Sequence, residues 1–594
     1  MKRSGFIIIF FSLFTAFSVH AQTSAKKPVK QCNAQLARQI VEQQADFSKT
    51  LGETDQRVNV LIKVADFLWT SDQESARSYF AEAFKVAQER FREKGNEPVR
   101  TGNMILSRVD YRFEVVRAIA KYDGEWAKKL SETILKEFDE DKEKDKRDEY
   151  DRSREVRELL GIAAKVAKDN PNLALSLARR VMRYPLNNNW YFSLYEMAGN
   201  NQSLADQIYG EALTAYADAE VFRLLYLSAY PFGRERIFGI ESSTLGTSLP
   251  ADFSPNPNLK RQFLLTLLRR VVKLTPKSTE KSLQTSTPES AVAVIAMNEL
   301  EIVISQQFPD LMPTFSQAKI HANSVVSNEI MDAANKRDES GKSFGKPFAE
   351  KLKELEKADA EGKLKDIQIV QLLTSARKEE DYKAAETWLD KITEDAPRES
   401  AKNYYYFQRS KLASKENRFE DAQKYADKIG KTELRAVVYF DLAEAKQKNS
   451  ATRLESLDSL SEVYKMAQKS PDTIEKAQVL LGLAYMYEKV DHFNALDALS
   501  GAIKTANKLE NPNLFTSFMS QQIIGKGYAS YIGYEVPGFD INKTFYEISQ
   551  KDFQGAISQA ESFSDKYLRT LAVLASVKDC EKNELTVKPK AKTN

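Results

Sequence analysis

The chain has 594 residues, of which 29% are charged and 42% are hydrophobic, and these fractions are typical of a folded soluble protein. Its 87 Lys and Arg residues nearly balance its 84 Asp and Glu residues, so the formal net charge is only +3. This balance gives no general attraction to nucleic acid or to an anionic membrane, and we expect neither as a partner.

The N-terminus has the order of features of a secretory signal peptide. Lys2 and Arg3 precede an apolar run at residues 6–19, and Val19-His20-Ala21 is typical of a cleavage site. The run is too short to cross a bilayer comfortably, and no later segment holds about 18 apolar residues in succession. We predict a signal peptide at residues 1–21, an exported protein in the periplasm or outside the cell, and no transmembrane segment after cleavage.

Residues 22–230 contain helical patterns that occur in pairs, with loops of uneven length. Apolar positions in 60–68 indicate a first helix, and Ala76, Phe80 and Ala83 indicate its partner. The remaining pairs are 112–120 with 127–138, 156–167 with 173–182, and 191–198 with 205–216. We predict an irregular array of helical hairpins in this N-terminal part.

The composition changes at residues 231–258, where Gly and Pro interrupt every helical pattern, and we predict a long loop or joint there. Helical patterns resume in the middle segment, residues 259–350, and the Gly- and Pro-containing run at 341–347 indicates a second joint. Residues 581–594 are rich in Lys and lack apolar periodicity, so we predict a disordered tail.

The clearest repeat lies in residues 351–580. Five segments begin with an aromatic residue or Leu and place mostly apolar residues 3, 7 and 10 positions later, on one helical face. The segments begin at Tyr382, Phe419, Leu457, Phe493 and Phe553. The first four starts are 37, 38 and 36 residues apart, which is typical of one helix–turn–helix unit. The last interval is 60 residues because it contains a Gly-, Tyr- and Pro-containing insertion at residues 525–541.

Short motifs in this region resemble the tetratricopeptide repeat. Leu481-Gly482-Leu483-Ala484-Tyr485 resembles the L-G-x-x-Y of the first helix of that repeat. Phe419-Glu420-Asp421-Ala422 and Tyr382-Lys383-Ala384-Ala385 resemble the aromatic-x-x-Ala of the second. The resemblance covers roughly residues 365 to 580, although the period exceeds the family's typical length of about 34 and the helix-ending Pro is mostly missing.

The resemblance implies an all-α fold: an α-solenoid of helix-turn-helix repeats in a right-handed superhelix. Such an array presents a long concave groove to extended peptides or partner proteins. We therefore expect a protein or peptide as the partner of this chain.

Motifs for catalysis, metal binding and nucleotide binding are missing from the sequence. After the predicted cleavage site the chain has two isolated histidines, His321 and His492, which do not have the spacing of a zinc site. No glycine-rich phosphate-binding loop and no nucleophile elbow occurs. We expect no enzyme activity, no catalytic residue, no cofactor and no metal.

The two cysteines, Cys32 and Cys580, lie near opposite ends of the predicted mature chain. An even number of cysteines in an exported protein permits a disulfide. A bridge needs Cα atoms within about 7 Å, however, and an extended array keeps its ends far apart. We expect two buried or free thiols, with the bridge as the alternative.

Tyrosines provide the candidate binding residues. Tyr404-Tyr405-Tyr406-Phe407 covers every direction of one helical turn, so not all four side chains can face the core. More tyrosines cluster in the insertion, and exposed tyrosines can anchor a peptide or stack on a sugar. The candidates are Tyr404, Tyr405, Tyr528, Tyr531 and Tyr534, with packing between repeats as the alternative role.

These observations favour a non-catalytic exported helical-repeat scaffold that binds proteins or peptides along its concave surface. The alternative is a glycan-binding or glycan-cleaving envelope protein that uses the Tyr-rich insertion. That alternative requires Tyr528 and Tyr534 to line a pocket with two carboxylates roughly 5 to 9.5 Å apart.

Overall fold

The structure is a computed structural model, and it describes most of the chain. The described residues are 32–95, 99–101, 104–106, 110–140, 149–233, 250, 252–275, 288–327, 347–448, 452–526 and 528–580. The predicted signal peptide, the predicted tail, most of the joint predicted at 231–258 and nearly all of the joint predicted at 341–347 lie outside these residues.

Helices dominate the described residues, as the sequence predicts. In the N-terminal part they are α1 (Ala34–Ser48), α2 (Thr54–Leu68), α3 (Gln73–Lys94), α4 (Tyr111–Ile119), α5 (Gly124–Glu140), α6 (Glu149–Val166), α7 (Pro171–Val181), α8 (Asn189–Ala215), α9 (Val221–Leu224), α10 (Ala229–Phe232), α11 (Pro257–Val272), α12 (Glu289–Gln307) and α13 (Met312–Val325). In the C-terminal part they are α14 (Phe348–Ala360), α15 (Asp366–Ser375), α16 (Glu379–Glu386), α17 (Asp395–Lys415), α18 (Phe419–Ala426), α19 (Thr432–Gln447), α20 (Ser456–Lys469), α21 (Ile474–Tyr487), α22 (His492–Ala506), α23 (Ile541–Ser549), α24 (Phe553–Glu561) and α25 (Lys566–Val577).

In the part of the chain that the structure describes, two small antiparallel β-hairpins accompany the helices. One joins β1 (Val99–Thr101) to β2 (Met104–Leu106), and the other joins β3 (Phe518–Gly525) to β4 (Tyr528–Glu535). The second hairpin includes most of the predicted Tyr-rich insertion and begins earlier than residue 525.

Capping side chains and small residues explain why the hairpins form where the sequence predicts them. The carboxylate of Asp72 accepts a hydrogen bond of 3.0 Å from the Ser75 N–H at the start of α3, and Asn170 caps α7 in the same way. The second-helix alanines are fully buried, which lets neighbouring helix backbones approach closely. They are Ala76, Ala127, Ala174 and Ala205.

The predicted helix pairs of the N-terminal part are confirmed, with α2 packed on α3, α4 on α5, and α6 on α7. The fourth pair forms one element, α8, in which the non-helical backbone of Asn201 marks the turn between its two helices. The buried face predicted for α22 is wrong, because Phe493 at its start is 84% exposed. The helix instead packs through Ala495, Leu499 and Ala502.

The C-terminal part is a row of hairpins in which each first helix contacts the next. The first helices are α15, α17, α19, α21 and α23, and the second helices are α16, α18, α20, α22 and α24. This arrangement buries the alanine of each aromatic-x-x-Ala motif, including Ala385 and Ala422. The row follows chain order from α15 to α25.

At the end of this row, the first and last helices of the described residues complete one hairpin together. Helix α25 packs against α23 and also against α1, and α1 packs against α2. The two helices run antiparallel, because the Lys566 amine at the start of α25 lies 3.5 Å from the Thr50 carbonyl just after α1. A disulfide joins Cys32 to Cys580, with their Cα atoms 5.4 Å apart, where a continuous chain would place the turn.

The expectation of separated ends and unbridged thiols is therefore wrong. It assumed that the chain termini are the ends of the array, whereas contacts continue from α25 through α1 to α2, α4, α6, α8, α11 and α13. One hydrophobic core accordingly holds buried residues from both terminal regions, including Val41 of α1 and Leu571 of α25. We call this junction of α25, α1 and α2 the seam.

The hairpin of β3 and β4 lies against the first helices of the C-terminal row. Ile523 on its inner face is buried in a second core cluster with residues of α15 and α17, and the hairpin contacts both helices. A short 3₁₀ turn, Pro537–Phe539, follows the hairpin and packs against α21 before α23 begins. The hairpin thus covers part of the surface that these first helices form.

Gly538 allows the close contact with α21, and we expect Gly538→Ala to destabilise the protein. A Cβ at Gly538 would lie 2.9 Å from the Gly482 Cα and 3.0 Å from the Tyr485 Cβ, so backbone would have to move. Overpacking of this kind costs about 1–3 kcal/mol.

Gly161→Ala is the control, because nothing lies within 4 Å of its Cβ position in α6. We expect this substitution to be neutral or to stabilise the protein by up to about 1 kcal/mol. Urea unfolding measures both, and equal stabilities would contradict the tight contact.

Candidate functional site

Two of the predicted binding tyrosines lie in the core. Tyr405 has 0% of its surface exposed, and its hydroxyl donates a hydrogen bond of 2.7 Å to the Tyr382 carbonyl. Tyr404 is also buried, and burial raises the pKa of its phenol to about 12. Their positions give both residues a packing role in α17, and neither offers a surface to a ligand.

The three tyrosines of the β3–β4 hairpin point in different directions. Tyr534 packs on Phe407, with ring centroids 4.7 Å apart, and its hydroxyl accepts a hydrogen bond of 2.7 Å from Gln408. Tyr528 packs towards the second core cluster, and its buried hydroxyl has no hydrogen-bond partner among the described residues. Tyr531 is 61% exposed on the outer face. Tyr528 and Tyr534 turn towards the helices, so they do not form the sugar-binding surface that the glycan alternative requires. Their orientation therefore argues against that alternative.

Beside the hairpin, three successive first helices form an open groove of about 830 Å³. It runs across the last turns of α15, α17 and α19, and we call it the first-helix groove. Its lining is mixed in charge, and the residues are Ala376, Arg377, Tyr382, Gln408, Lys411, Leu412, Ser414, Lys415, Asn417, Asp441, Glu444, Ala445 and Lys448. Gln408 connects the groove to the hairpin through Tyr534.

Helical spacing places these charged side chains on one surface. Gln408, Lys411 and Lys415 follow at intervals of three and four on α17, and Asp441, Glu444 and Lys448 do the same on α19. These polar stripes are visible in the sequence, but nothing local shows that the two helices are neighbours. Sequence reasoning therefore missed the groove and favoured the tyrosines.

Cations outnumber anions in the first-helix groove. Lys411 pairs with Asp441 at 3.1 Å, while burial raises the pKa of Asp441 and the neighbouring Lys411 opposes that shift. The Arg377 guanidinium donates hydrogen bonds of 2.8 Å to two carbonyls at the end of α15. Lys415 is exposed and has no carboxylate within 4 Å in the described part of the chain. The groove therefore offers positive charge to a ligand.

A buried charge network holds α17, the central helix of this groove, to its neighbours. Arg409 is 4% exposed and bonds both Glu379 and Glu386 of α16, with a distance of 2.8 Å from its Nη1 to Glu386 Oε2. Burial opposes ionisation of Glu379, but the hydrogen bonds and charge of Arg409 outweigh it, so the pKa of Glu379 lies below its usual value. The Tyr425 hydroxyl of α18 donates to Glu379 at 3.1 Å. The network thereby joins α16, α17 and α18.

The two histidines have structural partners. His321 Nε2 lies 2.9 Å from the Leu274 carbonyl, and His492 Nδ1 lies 2.8 Å from the Glu488 carboxylate. Among the described residues, no group of three or more His, Cys, Asp and Glu side chains has the arrangement to hold a metal ion. Within the same residues, every helix is too short or too polar to span a membrane.

Comparison of the sequence with protein-family models finds no match, and comparison with curated proteins finds none either. The first-helix groove, at about 830 Å³, is larger than a second cleft of about 730 Å³ beside the seam.

Proposed function

We propose that this protein is a non-catalytic, exported scaffold that binds an extended segment of a partner protein in the first-helix groove. The observation that carries the proposal is the groove itself, an open channel across three stacked first helices with mixed polar and apolar lining. Helical-repeat arrays use extended surfaces formed by successive repeats to bind partners. A tetratricopeptide-like right-handed superhelix is part of this proposal.

Export is also part of the proposal, and the disulfide supports it. Disulfides persist in oxidising compartments and are rare in the cytosol. The bridge between Cys32 and Cys580 therefore fits a periplasmic or extracellular protein, in agreement with the predicted signal peptide at residues 1–21.

The lining of the groove favours an acidic partner segment with apolar residues. Arg377, Lys411, Lys415 and Lys448 face two carboxylates, so the groove has an excess of positive charge. Leu412 and neighbouring alanines supply apolar contacts between the charges. Electrostatic complementarity of this kind raises the association rate and specificity, and it weakens as salt increases.

We expect Lys411→Glu/Lys415→Glu to weaken binding of acidic peptides at least about tenfold, because the loss of two cations and the gain of two anions reverse the local charge. Peptide arrays and a pull-down from the envelope fraction identify the ligand, and titration calorimetry then measures its affinity. Lys415→Glu alone is a second variant that leaves the Lys411–Asp441 pair intact.

The control is Lys465→Glu/Lys469→Glu on α20, which changes the same charge at the same spacing on a second helix. It should bind like the wild type. Equal losses in both double variants would show a nonspecific charge effect. Failure of the wild type to bind any envelope protein or peptide would contradict the proposal.

A further inference from the structure

A second cleft lies at the seam, where the two ends of the chain meet. Its volume is about 730 Å³, within the range of about 300–1,000 Å³ that is usual for small-molecule sites. Helices α2 and α25 form part of its wall, together with α23 and the end of α4. The lining residues are Lys63, Asp66, Phe67, Thr70, Lys121, Tyr122, Asp540, Asn542, Lys543, Tyr546, Leu574, Ala575, Lys578 and Asp579.

The acidic residues of this seam cleft are engaged by protein groups. Asp66 pairs with Lys121 at 3.1 Å, and Asp579 accepts a hydrogen bond from the Tyr546 hydroxyl. Asp540 caps α23 and accepts a hydrogen bond of 2.9 Å from the Asn542 N–H. Each of these carboxylates therefore has a structural role in or beside the cleft.

Lys63 differs from the acids, because no carboxylate lies within 4 Å of its amine in the part of the chain that the structure describes. It projects from the middle of α2, and burial lowers the pKa of its amine. The distant carboxylates of Asp540 and Asp66 act against this shift, whereas the positive charges of Lys578 and Lys121 add to it. The ammonium groups of Lys63, Lys121 and Lys578 thus repel one another in one partly buried space. Lys543, the fourth lysine of the lining, pairs with Glu535 at 3.2 Å.

Lys578, one of the cations near Lys63, makes only a weak contact with the protein. The Lys578 amine lies 5.6 Å from the centre of the Tyr546 ring, a cation–π contact that leaves its N–H groups able to bind another acceptor. Burying an ammonium group without an acceptor is costly, so an anion between Lys63 and Lys578 would relieve both the desolvation and the repulsion.

The rest of the lining suits a flat or apolar body attached to that anion. Tyr122, Tyr546 and Phe67 bring aromatic rings to the cleft, and Leu574 and Ala575 add apolar surface from α25. These rings and apolar groups form one part of a lining that also holds seven charged residues. Apolar and aromatic surface beside placed polar groups is typical of small-molecule sites, which often lie between structural units.

We propose that the seam cleft binds a small organic anion, a carboxylate or a phosphate ester with an apolar or aromatic body, through Lys63 and Lys578. Lys63 comes from the N-terminal side of the seam and Lys578 from the C-terminal side. The ligand therefore binds only the closed seam and stabilises it by mass action. This site is independent of the first-helix groove.

The test is a ligand titration followed by thermal unfolding and calorimetry at constant ionic strength, with sodium chloride as the balancing salt. Phenyl phosphate, benzoate and inorganic phosphate are the probes. We expect a saturable rise of Tm with at least one of the two aromatic anions. A preference for phenyl phosphate or for benzoate identifies the headgroup as phosphoryl or carboxylate.

Lys63→Met keeps the aliphatic stem and removes the charge, and we expect it to weaken binding about tenfold or more, as does the loss of a charge-assisted hydrogen bond. Lys578→Met should act in the same direction. Lys165→Met is the matched control, because the pKa of Lys165 is also lowered by burial and this residue is not part of the cleft lining. It should bind as the wild type does.

Lys411→Glu/Lys415→Glu should also retain anion binding, which separates this proposal from the proposed peptide groove. The inference is overturned if none of the three probes raises Tm saturably. It is equally overturned if Lys63→Met and Lys578→Met bind as tightly as the wild type while remaining folded.

Discussion

Replacement of Cys32 and Cys580 by alanine is expected to open the seam and lower its stability by about 2–4 kcal/mol. The bridge links residues 548 positions apart, so it closes a very long loop, and it holds α1 in the place of a second helix. Helix α1 has only 15 residues and buries mainly small side chains, among them Ala37, Val41 and Ala45. A helix of this length is marginal by itself, so it depends on the bridge and on packing.

Hydrogen exchange measures this effect directly. The amides of α1 and α25 should lose protection in Cys32→Ala/Cys580→Ala and in reduced wild type, whereas those of α19 and α21 should keep theirs. Reductant should change nothing in the double variant, which controls for unspecific effects. Unchanged protection of α1 after reduction would show that packing alone closes the seam.

Arg409→Met is expected to cost about 3–5 kcal/mol, the range for removing one partner of a buried ion pair. The substitution removes the buried cation that pairs with both Glu379, whose side chain is 15% exposed, and Glu386, whose side chain is 37% exposed. Helices α16, α17 and α18 should loosen together. Peptide binding in the first-helix groove should fall as well, because α17 supplies its central side chains.

Arg418→Ala is the matched control for this experiment. Arg418 also reaches Glu379, at 3.5 Å, but its side chain is partly exposed and pairs mainly with surface acids. Surface pairs contribute about 0–1 kcal/mol, so the control should lie close to wild type in urea unfolding. The triple variant Arg409→Met/Glu379→Gln/Glu386→Gln should recover part of the lost stability, because no buried charge remains unpaired. Equal effects of Arg409→Met and Arg418→Ala would contradict the assigned network.

Sequence patterns predict which charged residues of the first-helix groove share a helix face. They place Lys411 and Lys415 on one face of a helix, and Asp441 and Lys448 on another, because a helix repeats every 3.6 residues. They do not decide whether a tyrosine beside such a face is exposed. Tyr405 entered the core because α16 offers its carbonyl partner at Tyr382, and that contact forms only when the two helices pack.

The β3–β4 hairpin was missed for a related reason. A sequence signal was present, since Gly525, Lys526 and Gly527 separate two runs that contain Ile and Tyr. The alternation is weak, however, because both faces of β4 carry aromatic side chains. What holds the hairpin is contact with α15 and α17, far earlier in the chain.

The sequence by itself determined the helices, their pairing into neighbouring hairpins, and the small residues that allow close approach, such as Ala76 and Ala422. These features follow from short-range periodicity, capping and side-chain size, which act within one or two helices. Only the tertiary structure decided that α1 completes the hairpin of α25, and that Cys32 therefore meets Cys580. The physical reason is that periodicity specifies which face of a helix is buried but not which distant helix covers it. The seam cleft and the position of Lys63 in its wall follow from that long-range choice.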